Sequence, residues 1–404
     1  MGILGVVFVT NLAPGSEKTA RSAATTTALA KAKDALIAYA IARDDPGRPG
    51  EFPCPSIVPP TAPTYGVSAS ACATVSIGRL PWKTLGIAEP LDSDAEPLWY
   101  AVSSKFRPPF SNTRLINSDT VGNLAVYDSS GSTVLSSEVV AVIFAAGAPT
   151  SSQNRTSTTM VCATTATSIA GNSCATNYLD SDFGRNNATN SGPYIAGTSN
   201  ANFNDQIAYI TTADFIPKIE DRIATFLTRS LKSYYVANGY YPYSTTYSDI
   251  SFPNRLNCAN GTYSGRLPVF IAASPYGPPV APCIGLQEWP GVGIPNSLPT
   301  WFSENQWSVA IHYKIGKAFE KGGSKVCSAL GDCLTVNGDS AVQAMLILPG
   351  IATASQIRPF ATPANYLEVA GNLGGWPLPV NYSYMTTNSS LPSRDRVVAI
   401  KYPP

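Results

Sequence analysis

From Ser16 to Arg43 the chain contains neither proline nor glycine and is rich in alanine. Leu29, Ala32, Leu36 and Ala40 recur at spacings of three and four, Ile37 and Ile41 widen the stripe, and Lys31 and Asp34 fall on the other side. That period lays one apolar face along an α-helix. Ser16 is positioned to cap it, Glu17 suits the first turn, and Asp45-Pro46-Gly47 ends it. A second helical run opens at Pro217, a residue tolerated in a first turn. Here Ile219, Ile223, Phe226, Ser230 and Tyr234 share a face with Leu227 and Leu231, until Asn238-Gly239 supplies a C-terminal stop. Neither stripe continues as a heptad, so each helix is expected to lie across a sheet of its own.

After each helix, proline, glycine and cysteine punctuate short runs with strand character at 122–127, 138–145, 205–211, 341–348 and 396–401. Glu138 to Ala145 and Ala341 to Leu348 are nearly continuous apolar runs, as central strands require. One helix followed by scattered strands, twice over, predicts an α+β fold in which a helix covers one face of an antiparallel sheet. The stretch 150–204 is rich in Thr, Ser, Asn and Ala and reads as an exposed loop excursion, clipped by Cys162 and Cys174.

The same landmarks recur in the same order. Phe52-Pro53-Cys54-Pro55 and Gly78-Arg79-Leu80-Pro81 match Tyr241-Pro242-Tyr243, Cys258 and Gly265-Arg266-Leu267-Pro268. Leu98-Trp99-Tyr100-Ala101-Val102 is set against Gln306-Trp307-Ser308-Val309-Ala310, and Asn177-Tyr178-Leu179 against Asn365-Tyr366-Leu367. Both copies close on a polar step into an apolar strand, at Asn204-Asp205-Gln206-Ile207 and Arg394-Asp395-Arg396-Val397. The pattern predicts a tandem duplication: an apolar segment over 1–15, one domain over 16–213 and a second over 214–404.

Charged residues make up 13% of the 404 positions and the net charge is +1, which leaves no basic face for nucleic acid and no acidic tail. Eight cysteines fall into local couples, Cys54/Cys72, Cys162/Cys174, Cys258/Cys283 and Cys327/Cys333, none with zinc or haem spacing. Four loop-closing disulfides and an oxidising compartment are the expected reading, each bridge contributing roughly 2–4 kcal/mol. The first and third couples fall at matching places in the two copies.

Residues 1–12 form an apolar run carrying Ile3, Leu4, Val6, Val7, Phe8, Val9 and Leu12. A membrane span needs about 20 such residues, so this run reads as the end of a longer anchor that begins upstream. An apolar front leading into a long helix with Ala35-Leu36-Ile37-Ala38-Tyr39-Ala40, then Pro53-Cys54-Pro55, Gly78-Arg79-Leu80-Pro81-Trp82, Leu98-Trp99-Tyr100-Ala101-Val102 and Phe203-Asn204-Asp205, resembles bacterial type IV pilin-like (pseudopilin-like) proteins. The resemblance covers about residues 16–225 and reaches the remainder through the internal repeat. It implies an exported structural subunit, anchored in the inner membrane before assembly and packed with identical subunits in a helical, extracellular filament afterwards. The apolar residues of 1–12 would serve as anchor and filament core. Pilins carry a basic leader and an early glutamate, and neither occurs among the residues before Glu17, as expected if the start lies upstream of Met1 or if processing follows another route.

Catalytic chemistry is thin. The single histidine, His312, has no nucleophile legible beside it and reads as structural. No phosphate loop or nucleophile elbow occurs. Asp92, Asp94 and Glu96 space carboxylates like the opening of a calcium loop, the one metal candidate, although the turn glycine is missing and Pro97 follows. No catalytic residue and no other cofactor is expected. Trp99 and Trp307 are assigned to cores, whereas Trp289, Trp301 and Trp376 stand in Pro/Gly-rich loops as interface candidates. The alternative reading is a surface binding protein or adhesin that holds a glycan or cell-surface ligand on loops 150–204 and 284–305.

Overall fold

The computed structural model describes residues 14–44, 48–108, 115–151, 153–156, 174–245, 262–268, 299, 301–302, 305–329, 331–358, 362–368, 383–384 and 394–401. The expected anchor residues Ile3, Leu4, Val6, Val7, Phe8, Val9 and Leu12 lie outside them, as do Cys162, Cys258, Cys283, Trp289 and Trp376. The protein is a mixed α+β chain with mainly antiparallel sheets. It divides into two compact units: the first holds the chain up to Ala40, Phe52–Pro109 and Gly122–Thr211, and the second holds Ile41–Glu51, Phe110–Val121 and Thr212 onward. The assignment of 41–51 and 110–121 to the second unit departs from a simple head-to-tail division.

In the first unit, helix α1 (Pro14–Ala42) starts ahead of the expected Ser16 cap, because proline has no N–H to satisfy in a first turn. Leu29, Ala32, Leu36, Ile37 and Ala40 are buried, as their spacing requires, and Lys33 donates to the Tyr209 carbonyl at 3.0 Å. The strands are β1 (Ile77–Arg79), β2 (Trp99–Val102), β3 (Leu124–Tyr127), β4 (Val134–Ala145), β5 (Ser181–Asp182), β6 (Arg185–Asn186), β7 (Tyr194–Ile195) and β8 (Gln206–Thr211). The apolar half of β4 is the predicted central strand, paired antiparallel with β2 and with β8, while its polar first half pairs with β3. Strand β7 joins β3 in parallel and buries Tyr194 and Ile195. The excursion over 150–204 is therefore only partly exposed. From Cys174 onward it turns inward, supplying a strand and core residues.

In the second unit, helix α2 (Ile216–Asn238) ends as predicted at Gly239, whose φ of 74° is left-handed and whose N–H donates to the Tyr235 carbonyl. The remaining strands are β9 (Ser264–Arg266), β10 (His312–Ile315), β11 (Leu334–Val336), β12 (Asp339–Val342), β13 (Ala344–Leu348), β14 (Ser383–Tyr384) and β15 (Arg396–Ile400). The expected strand at 341–348 is split at Gln343, because β12 pairs with β11 while β13 lies between β10 and β15. At the break, the Gln343 carbonyl accepts from Gly316 N–H and its side-chain oxygen accepts from Tyr241 Oη.

The path β1-β2-β4-β8 and the path β9-β10-β13-β15 have the same order, all antiparallel. Tyr100 Oη donates to the Pro53 carbonyl at 3.1 Å, and Tyr313 Oη to the Pro242 carbonyl at 3.1 Å. Arg79 stands opposite Trp99, and Arg266 opposite His312. By register, then, Trp99 corresponds to His312, and the match to Trp307 is displaced. Trp307 occupies a one-turn helix ahead of β10, buried all the same.

The Gly-Arg-Leu-Pro repeats have a steric cause. A Cβ on Gly78 would stand 2.7 Å from the Ser56 carbonyl oxygen, and one on Gly265 would collide with the Thr245 carbonyl. Each glycine lets a neighbouring segment pair with the following arginine, Ser56 with Arg79 and Thr245 with Arg266. Gly78→Ala should lower stability by about 1–3 kcal/mol, since backbone must yield. An unchanged urea midpoint would contradict that steric account.

Candidate functional site

The loop after β4 carries Gly147, Thr150, Gln153 and Arg155, which turn back on themselves. Gln153 Oε1 accepts from Thr150 N–H at 3.2 Å and from Arg155, whose Nη1 reaches the Gly147 carbonyl at 2.6 Å. The Arg155 guanidinium lies 4.9 Å from the Tyr178 ring centroid, and that of Arg79 lies 4.1 Å from it. Arg79 also lies over Trp99 at 4.3 Å. Such cation–aromatic contacts are attractive, more so where the pair is desolvated.

This framework fixes a pair of carboxyl groups. Asp180 Oδ1 accepts from Gln153 Nε2 at 2.7 Å and Thr150 Oγ1 at 3.3 Å, and its Oδ2 accepts from Asn204 N–H at 2.9 Å. Asp205 Oδ2 accepts from Asp180 N–H at 2.8 Å and Asn187 Nδ2 at 2.9 Å. Asp205 Oδ1 has no partner among the described residues. Burial, then the charge of Asp180, pushes the Asp205 carboxyl up to about 8, and burial also raises Asp180. Asp205 therefore carries its proton at neutral pH.

Asp180 and Leu179 form the floor of a cleft of about 330 Å³, whose walls are Gln153, Thr176, Ser181, Asn186 and Asn202. Two of those walls stand at the base of the β5–β6 hairpin, where Ser181 pairs with Asn186. The hairpin tip presents Phe183, 58% exposed, with a left-handed φ of 47°.

The second unit holds a similar framework. Gln356 Oε1 accepts from Thr353 N–H and from Arg358, which reaches the Gly350 carbonyl and lies over Tyr366. Glu368 N–H donates to Asp395 Oδ2 at 3.0 Å, and Arg394 N–H to Glu368 Oε2 at 2.7 Å. A Gly-x-x-Thr-x-x-Gln-x-Arg spacing, at Gly147–Arg155 and at Gly350–Arg358, was available in the sequence as a signal for both.

The expected site residues fare unevenly. Cys54–Cys72 and Cys327–Cys333 are bridged. Cys174 is also disulfide-bonded and buried, at the start of a single 3-10 turn, Ala175–Asn177, that leads to Tyr178. Its expected partner, Cys162, lies outside the described residues, so the coupling of Cys162 with Cys174 is not among the described bridges. The same holds for Cys258 with Cys283. Burial of Cys174 corrects one expectation: this cysteine belongs to the folded body of its unit rather than to an exposed loop, because the chain on either side of the turn packs inward.

Asp92 Oδ1 accepts from the backbone N–H groups of Asp94 and Glu96, Asp94 pairs with Arg21 at 2.7 Å, and Glu96 pairs with Arg155 at 3.0 Å. These contacts make an acidic turn closed on the protein's own donors, and among the described residues no cluster of three or more His, Cys, Asp or Glu could hold a metal. Trp301 is 3% exposed, its indole N–H donating to Asp44 at 2.9 Å, so its own unit takes it up rather than a free loop surface.

His312 Nε2 lies 3.3 Å from Ser264 Oγ, a contact that strand pairing creates and sequence distance concealed. Burial, reinforced by the charges of Lys314 and Arg266, holds His312 well below its ordinary value, and burial brings Lys314 down to about 7. A neutral imidazole 2% exposed in the sheet interior suits packing rather than substrate.

Among the described residues no helix is long and apolar enough to cross a membrane. Compared with known proteins, the chain matches no family model, no curated protein and no solved structure.

Proposed function

We propose that the chain is a tandem duplication of a pilin-like unit and serves as an exported structural subunit of a type IV pilus-like or type II secretion-like filament. The observation that carries this reading is a long helix ahead of a sheet whose strand order and tyrosine–carbonyl bond recur in the second unit. Residues 21–24 of α1 are exposed, whereas Thr25, Leu29, Ala32, Leu36 and Ala40 form a buried stripe. An apolar run precedes that exposed part in the sequence. The disulfides at Cys54–Cys72 and Cys327–Cys333 support an oxidising compartment.

In this reading the apolar residues of 1–12 move from lipid to a core shared by identical subunits. That transfer changes hydrophobic energy little, so packing decides assembly. Deleting residues 1–13 should leave a folded chain that no longer polymerises, checked by electron microscopy and sedimentation beside the full chain. Filaments formed equally well by the shortened chain would overturn the proposal.

A further inference from the structure

The cleft above Asp180 has a chemistry that the filament reading does not use. Its floor is rigid, because Asp180 is held by three donors and Leu179 is 4% exposed. Its rim is supplied by neutral polar side chains. Among the described residues the side chains of Thr176, Ser181 and Asn202 make no hydrogen bond within the protein. Asn186 uses its oxygen to accept from Ala188 N–H, which leaves its amide N–H groups to donate elsewhere. The rim thus offers hydroxyls that both donate and accept, together with amides that do the same.

That inventory selects among ligand classes. Among the described residues no lysine or arginine lines the cleft, so it lacks the cation that favours a phosphate or sulfate. Among the described residues one carboxylate lines it, already holding three donors, which is poor ground for a divalent cation. Among the same residues Leu179 is the one apolar lining side chain, too little for a lipid or an aliphatic side chain. A neutral ligand dense in hydroxyl groups meets the rim on equal terms. The volume of about 330 Å³ sits at the small end of the range for ligand pockets.

We infer that the cleft between Gln153, Asp180, the base of the β5–β6 hairpin and Asn202 is a binding site for a neutral saccharide unit. Asn186 and Asn202 bind ring hydroxyls, Ser181 and Thr176 complete the hydrogen bonding, and Asp180 orients Gln153 by accepting from its amide. The site is independent of polymerisation, so it stands or falls apart from the filament reading.

The test uses the full chain on an array of neutral oligosaccharides containing glucose, galactose and N-acetylglucosamine. Titration calorimetry follows for any that bind. The double variant Asn186→Ala, Asn202→Ala should weaken the interaction about tenfold or more. Lys325→Ala, in the other unit, should leave it unchanged. Both substituted asparagines are exposed, and a circular dichroism melt matching the parent shows that the fold is kept. Absence of binding to every oligosaccharide on the array overturns the proposal, and so does binding that the double variant leaves intact.

Discussion

Asn305→Ala should loosen the second unit more than any other single truncation among its polar residues. Asn305 is fully buried, and its Oδ1 accepts from Ile116 N–H at 2.8 Å and from Arg48 Nη1 at 3.2 Å. Its carbonyl accepts from Asn117 Nδ2 at 2.9 Å, and its Nδ2 donates to the Trp301 carbonyl at 2.8 Å. One side chain thus ties together three stretches of chain that are remote in sequence. Alanine would leave a backbone donor and a guanidinium donor buried without that acceptor, at about 1–3 kcal/mol each. The expected loss is on the order of 3–5 kcal/mol, near the top of the range for single substitutions. Asn305→Asp keeps both acceptor contacts and should cost less. Proteolysis should then open the chain within 41–51 and 110–121 in the alanine variant first. Equal protection of those stretches in the parent and the alanine variant would refute the role given to Asn305.

The second large effect concerns acidity. In the unfolded chain an aspartate ionises near ~3.9, whereas burial and the charge of Asp180 place folded Asp205 at about 8. Between those values the folded state holds a proton that the unfolded state has released. Its contribution is therefore unimpaired below about pH 4, declines as pH rises, and levels off above about 8. Asp205→Asn mimics the protonated form and should remove this decline, raising stability at pH 8.5 by a few kcal/mol, on the order of what such shifts carry. Amide exchange in β4 and β8 reports the first unit alone. Glu220, which burial lifts to about 7 in the second unit, keeps its own slope of the same sign. If β4 protection in the parent is flat from pH 5 to 8.5, Asp205 is ionised throughout and the account fails.

The periodic parts of the fold were legible. The stripe on α1, the stop at Gly239 and the apolar half of β4 all follow from local spacing. Tryptophan misled as a landmark: its rarity suggested pairing Trp99 with Trp307, whereas strand register sets Trp99 against His312 and keeps Tyr100 beside Tyr313 in role. The serine- and threonine-rich look of 150–204 hid the burial of Asp180 and Asn187, because buried polar residues that satisfy one another resemble a solvated loop in composition. Glu220 on α2 is 3% exposed and accepts from Gly350 N–H, a burial that no local spacing announces. The placement of 41–51 and 110–121 left no trace either, since contacts across some two hundred residues impose no local period. The same holds for the cleft, whose walls come from four separate turns.

Those two stretches carry a consequence for how the chain is made. Ile116 leaves the ribosome well before Asn305, its buried partner in the finished molecule. At about 5–20 residues per second, the delay runs to roughly 10–40 seconds. Throughout that interval the nascent protein presents wet, unfinished loops to whatever lies nearby. The late-made segment around Asn305 acts as the clasp that closes the early one.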